Sequence, residues 1–380
     1  MSRPAGSRRA DALTRMVGRV DATLAADEVG FPHYADPTTG RWTRTPNGDW
    51  SGGFWPGLLW LAAAASGEDR YRRSAATWAE RLRPRSRSET AFRGFLFWYG
   101  AAIGARLHSD QVGRAVALEG ALGLAGLYNP AARLIPIGRE AEEPSPVGRG
   151  EASISTVPGG TPLLLWAAAE IGDPSLDALA AVHTERHAEL CVRDDGSVSQ
   201  SLSFDTTTGR LLRRYTHEGV RDDSTWARAQ AWAMLGFAQA CRWRPGFQDV
   251  TTRVADWWLA HAPADHVAFW DFDDAVNGSA DRDTSASAIA AAALLKLAEQ
   301  LPAGAGRRRY RAEAEATVDA LVDRYLTPTD PEDPRPAGIL TDGCYDKRLG
   351  VATRNELIWG DYFLFECLCV LEGHLAPHVT

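Results

Sequence analysis

Over most of its length the chain alternates between stretches that are apolar on a 3.6-residue period and short polar breaks rich in Gly, Asp, Pro and Ser. The periodic stretches are 58–65, 77–82, 115–127, 162–171, 224–241, 250–262, 284–300 and 311–325, and each predicts an amphipathic or buried helix. Ala, Leu and Arg fill them, all strong helix formers, while β-branched runs in strict alternation are nearly absent. A weak repeat runs through the pattern: an apolar helix, a Gly-containing turn, then a second helix carrying aromatic residues. Ser66-Gly67-Glu68-Asp69-Arg70-Tyr71 is echoed by Ile171-Gly172-Asp173-Pro174-Ser175-Leu176, and 244–247 and 303–310 fall at corresponding points. Gly stops the first helix because it accepts the left-handed cap, and Asp or Ser caps the next. Helical hairpins repeating about every 50 residues must bury a common face, which gives a solenoid or a closed ring.

In a ring the longer loops gather at one end and line a central cavity. Those loops are 42–54, 129–162, 194–223, 267–283 and 328–359, rich in Gly, Pro, Asp and Trp. Only 194–216 reads as a β-hairpin, with turns at Asp195-Gly196 and Thr208-Gly209. The 328–336 stretch reads as a mobile surface loop. No internal linker is long enough to separate domains, so the expectation is one all-α domain over residues 1–380.

Composition narrows the function more than the fold. The 380 residues are 45% apolar and 24% charged, enough for a large core. A net charge of -8, with Arg307-Arg308-Arg309 as the one local basic run, argues against a nucleic-acid partner. No stretch has the apolar length of a membrane span or a signal peptide, so a cytoplasmic protein, monomer or homodimer, is expected. Cys191, Cys241, Cys344, Cys367 and Cys369 form no CxxC pair and have no His at zinc spacing; they read as buried thiols, with no metal or organic cofactor implied. The 14 Trp residues stand out, many beside Gly and Asp. An indole face stacks on the C–H side of a sugar ring, so a Trp-rich cavity suits a carbohydrate, while the remaining indoles pack the core.

Four blocks carry a resemblance. They are Asp49-Trp50-Ser51-Gly52-Gly53-Phe54-Trp55-Pro56-Gly57, Asp222-Asp223-Ser224-Thr225-Trp226-Ala227-Arg228-Ala229-Gln230-Ala231-Trp232, Phe269-Trp270-Asp271-Phe272-Asp273 with Arg282-Asp283-Thr284-Ser285, and Asn355-Glu356-Leu357-Ile358-Trp359-Gly360-Asp361. In order and spacing they resemble the unsaturated glucuronyl hydrolases, glycoside hydrolase family 88, and their relatives acting on unsaturated rhamnogalacturonides. The resemblance implies an (α/α)6 barrel with the pocket inside the ring. It also implies cofactor-free hydration of the C4=C5 bond of a terminal unsaturated uronic acid, in which an Asp protonates the alkene carbon and directs water to its neighbour. That work needs a carboxyl with a raised pKa.

The chain departs from that family where the chemistry sits. Phe92, in Ala91-Phe92-Arg93-Gly94-Phe95, stands in the place of the first key Asp, and Thr156, beside Ser155, stands in the place of the acid–base Asp. Gln200 replaces a pocket His, and Glu218 replaces a pocket Gln. The frame of Trp50, Trp226, Arg228 and Trp232 is kept. Glu218 is the first catalytic candidate; its other reading is a salt-bridged loop residue paired to Arg93 or Arg228. His217 lies beside it, although neighbours in a strand point to opposite faces. Asp223 is a further candidate, and one of Asp222 and Asp223 is expected to cap the helix that follows. Arg228 either grips a substrate carboxylate bidentately or makes a structural ion pair, and Arg93 adds positive charge beside the lost Asp. Asp271, Asp283 and Asp361 read as loop-pinning acceptors, and Glu151 is a distant candidate. The sum is an enzyme on a sugar-like, anionic or unsaturated glycoside with altered chemistry, suited to tailoring a biosynthetic metabolite. The other class is an inactive ring that binds a saccharide or a protein partner.

Overall fold

The computed structural model describes residues 5–143, 147–274 and 281–380. Residues 144–146 and 275–280, which belong to two of the expected loops, lie outside the described residues, as do residues 1–4. Helix α1 (Ala5–Ala25) comes first, and five helical hairpins follow: α2 (Phe54–Ser66) with α3 (Asp69–Leu82); α4 (Arg93–Phe97), continued through a π turn at Trp98–Ala102 into α5 (Ile103–His108), with α6 (Gln111–Ala125); α7 (Gly160–Ile171) with α8 (Pro174–Cys191); α9 (Ala227–Trp243) with α10 (Gln248–His261); and α11 (Thr284–Gln300) with α12 (Ala305–Arg324). The last helix, α13 (Ile358–Leu371), takes α1 as its partner. The first helix of each hairpin packs on its counterparts, in the order α2, α4 with its π turn, α7, α9, α11 and α13, and α13 returns to α2. The result is a closed (α/α)6 ring.

Sequence explains which helices face inward. α9, α11 and α13 bury nearly every residue, and α2 all but its last turn. The outer α3 buries only Tyr71, Ala75, Trp78, Ala79 and Leu82, one stripe at helical spacing. The predicted punctuation is present. Gly67 (φ 73) ends α2 and Gly172 (φ 69) ends α7 in the left-handed region, while Asp173 and Asp283 cap α8 and α11. Inner helices meet closely at their loop ends: a Cβ on Gly94 would lie 2.5 Å from the Gly160 nitrogen.

Two three-stranded antiparallel sheets flank the ring mouth, where one hairpin was expected. In the first, β1 (Phe31–Ala35) lies between β2 (Trp42–Thr45) and β6 (Glu356–Leu357); in the second, β4 (Ser201–Phe204) lies between β3 (Glu151–Ser153) and β5 (Leu211–Tyr215). The β1–β2 and β4–β5 loops are near-copies, Asp36-Pro37-Thr38-Thr39-Gly40-Arg41 and Asp205-Thr206-Thr207-Thr208-Gly209-Arg210. In each, the Asp side chain accepts from the backbone N–H groups of the two residues before the Gly, and that Gly takes a positive φ. The Asp195-Gly196 turn also forms, but it joins Val192 to Val198 outside the β4–β5 hairpin. The 328–336 stretch is a surface loop anchored at its ends, with Thr327 Oγ1 donating to the Pro336 carbonyl. All five cysteines are free and buried. Among the described residues no helix is long and apolar enough to cross a membrane.

Candidate active site

The loops at the ring mouth enclose about 380 Å³ of unfilled space, the opening included. One wall is aromatic. Asp49 takes a left-handed turn (φ 50) and accepts the Trp50 N–H at 2.7 Å, which sets the Trp50 indole against Trp359, with centroids 4.6 Å apart. Its Nε1–H donates to the Tyr345 hydroxyl at 3.2 Å. Phe92 and Phe95 stack 6.0 Å apart, and Phe95 packs on Trp232. Trp226 completes the lining.

The opposite wall is charged, and Gln200 organises it. Its Oε1 accepts from the Thr216 hydroxyl and from the N–H groups of His217 and Glu218, wrapping the 216–218 turn around one amide. That leaves its Nε2 to donate to Glu218 Oε2 at 2.6 Å. Arg228 Nη2 donates to the other Glu218 oxygen at 2.9 Å. The His217 imidazole pairs with Glu143 through Nε2, which lies 3.7 Å from Glu218. Burial, the largest effect, lifts the Glu218 carboxyl; Arg228 opposes this and Glu143 adds to it, with the balance upward. For His217, burial lowers the imidazole, but the carboxylates of Glu143 and Glu218 more than offset this, and it is lifted to about 9.

Arg228 is a structural hub. In the first turn of α9, with its side chain 2% exposed, it gives Nη1 to Asp283 (2.7 Å) and the Cys344 carbonyl (2.5 Å), and Nη2 to Glu218 and the Tyr345 carbonyl (2.6 Å). Its guanidinium also lies 4.4 Å over Trp226. Of the two readings for Arg228, the geometry realises the ion pair.

Several expected site residues stand elsewhere. Asp223 is 81% exposed and paired to Arg221, because α9 starts only at Ala227, which leaves Asp223 on the outer face of the preceding turn. Neither Asp222 nor Asp223 caps α9; Asp222 instead pairs with Arg213. Arg93 does not line the cavity: it is buried on the far side of α4, its Nη1 2.6 Å from where a Gly123 Cβ would be. Thr156 turns its hydroxyl back to the Ser153 carbonyl, and Ser155 takes its place in the lining. Gln200 touches Glu218 rather than the cavity. Glu151 accepts from Tyr215 on the outer sheet. Asp271 and Asp283 are the expected acceptors, for Val220 N–H and Ser224 at one site and the α11 cap at the other.

The sequence reading missed Phe95, Glu142, Glu143, Tyr345 and Asp346 and set Ser155 only beside Thr156; all six line the cavity. A visible signal existed for two of them: Glu142-Glu143 is an adjacent acidic pair before Pro144 in a long loop. Glu143, His217 and Glu218 also bring possible metal-ligand atoms within 4.8 Å of one another. The fit is poor, since Arg228 and Gln200 already donate to both Glu218 oxygens, and the Arg228 guanidinium places positive charge where an ion would sit.

No family model matches the chain. It is 35% identical over 349 residues to an unsaturated glucuronyl hydrolase of Bacillus sp. (strain GL1), covering 90% of this chain and 91% of that protein. It is 28% identical to an unsaturated chondroitin disaccharide hydrolase of Streptococcus pneumoniae (strain ATCC BAA-255 / R6), over 85% of this chain and 81% of that one. The crystal structure of the unsaturated glucuronyl hydrolase from Bacillus sp. GL1 matches with a TM-score of 0.87 at 32% identity, over 96% of each chain.

Proposed function

The chain belongs to the unsaturated glucuronyl hydrolase family, and from that premise we propose that it is an enzyme on a sugar-like glycoside whose proton transfer has moved to Glu218 and His217. The observation that carries this reading is the cluster of Glu143, His217 and Glu218, with Glu143 and Glu218 lining the cavity opposite stacked aromatics and His217 behind them. Neither Phe92 nor Ser155 can act as a general acid or base near neutral pH, the first having no ionisable group and the second a hydroxyl far too weakly acidic. Glu218 lines the cavity, and its raised pKa suits a group that gives a proton and takes one back. The N–H groups of Arg228 and Gln200 stabilise the carboxylate left after Glu218 donates. His217, kept protonated by Glu143, is the reservoir behind it. A changed acid–base set on a kept aromatic frame fits a tailoring enzyme for a glycosylated metabolite, formed as one toroidal domain over residues 1–380 and working in the cytoplasm.

The test is a panel of glycosides, unsaturated uronyl disaccharides among them, followed by loss of alkene absorbance and by released sugar, beside a binding titration. Glu218→Gln is expected to lower turnover by about 10² to 10⁴ while the melting temperature stays near that of the parent. Equal activity in that variant removes Glu218 from the mechanism. Binding without turnover of any glycoside supports the second reading, an inactive saccharide-binding ring, which is favoured by the apolar Phe92 at the first inherited acid position.

A further inference from the structure

The cavity has an unusual charge balance. Arg228 is the one cationic side chain among its lining residues, and its four terminal N–H groups are all donated: to Asp283, Glu218 and the carbonyls of Cys344 and Tyr345. A substrate carboxylate is held most strongly by a free guanidinium fork or ammonium, and among the described residues neither lines this cavity. Arg93, expected at the site, faces away, while Arg85 is taken by Glu142 and Arg348 by the Thr216 carbonyl. Asp283 alone offsets Arg228, whatever the state of Glu218.

Carboxylates, by contrast, remain. Glu142, Glu143, Glu218 and Asp346 all line the cavity. Arg85 pairs with Glu142, and His217 pairs with Glu143. Asp346 is buried and accepts the Leu349 N–H at 2.9 Å; no cation among the described residues is in ion-pair contact with it, although its charge helps to raise the His217 imidazole. One oxygen of Glu142, Oε2, is buried without a hydrogen-bond partner. Trp50, Trp226, Trp232 and Tyr345 present π faces to the same space, and such faces also attract a cation.

We infer that this cavity selects an amine-bearing, positively charged sugar over a uronate, with Asp346 as the carboxylate that meets the ammonium. The inference rests on the reading of the cavity as a sugar site and names the substrate class for it. A uronate carboxylate would be desolvated beside Asp346 with hydroxyl donors but no free cation to receive it, whereas an ammonium replaces its lost water with Asp346 and the aromatic faces.

The experiment measures binding of methyl β-D-glucosaminide, methyl β-D-glucoside and methyl β-D-glucuronide to the intact protein by calorimetry near neutral pH. The expected order is amine, neutral, uronate, with the first and last separated by about tenfold or more in Kd. Asp346→Asn is expected to weaken the glucosaminide and leave the glucoside unchanged. Glu218→Gln, which frees one Arg228 N–H from its carboxylate, is expected to improve the glucuronide. Circular dichroism establishes that each variant is folded. Glucuronide binding as tight as glucosaminide in the parent overturns the inference while leaving the sugar site standing, as does an amine preference that Asp346→Asn leaves intact. Binding of none of the three removes the sugar site itself, and the inference with it.

Discussion

Two arginines lie deep in the loops at this ring, each beside two carboxyl groups, and they serve different ends. Arg19, on α1, grips Glu356 with Nε (2.8 Å) and Nη2 (2.5 Å) and also donates to the Gly40 carbonyl, tying α1 to β6 and to the β1–β2 loop. The second acid there, Asp361, is driven towards its neutral form by burial and then by the neighbouring Glu356. One cation therefore meets one anion, and the charges close. Around Arg228 the same closure is made with Asp283, but Asp346, without an ion-pair partner among the described residues, also borders the cavity. Burial and ion pairing are common to both places, so neither marks a site. What distinguishes Arg228 is charge left over beside open space and aromatic rings.

The comparison breaks most directly at Arg19. Arg19→Met leaves Glu356 buried without its cation and is expected to cost about 3–5 kcal/mol of stability, read by denaturant unfolding, with sugar affinity of the folded protein unchanged. A cost no larger than that of a surface substitution would mean that the Arg19 pair pins nothing. A smaller effect should come from pH. The His217 imidazole is lifted from 6.5 to about 9, burial opposing and Glu143 prevailing. A raised imidazolium stabilises the fold fully below pH 6.5, and that contribution, up to about 3 kcal/mol, is lost as pH climbs through about 9. Melting temperature should accordingly fall between pH 7 and 10, and Glu143→Gln should flatten the fall; an equally steep profile in the variant would put its cause elsewhere. The smallest effect belongs to Asp223. Asp223→Asn should leave melting temperature and turnover where they were, and a strong loss of turnover would reinstate it as a catalytic group.

The ring was legible because helical period and Gly-Asp punctuation are local signals, written out at Gly67-Glu68-Asp69 and Gly172-Asp173. The first hairpin went unread although Asp36 to Arg41 nearly repeats Asp205 to Arg210, because its strands are too short for alternation to show. The site divides along the same line. Trp50, Phe92, Glu218, Trp226, Arg228 and Trp232 sit in or beside helix-edge blocks with strong neighbours, and all line the cavity. Tyr345, Asp346 and Glu143 arrive on long loops whose course depends on contacts far along the chain, such as the Arg228 bonds to residues 344 and 345. Register inside a turn was equally hidden: a single residue separates Ser155, which faces the cavity, from Thr156, which bonds back to Ser153.

The pairing of α1 with α13 has a consequence for biosynthesis. A ribosome adds residues 26–357 after the first of these partners and before the second, an interval on the order of tens of seconds at 5–20 residues per second. Until then α1 and the inner face of α2 have no α13 to cover them, so nascent chains carry uncovered apolar surface at the seam. The α13 seam is therefore the last part of the ring that synthesis allows to close.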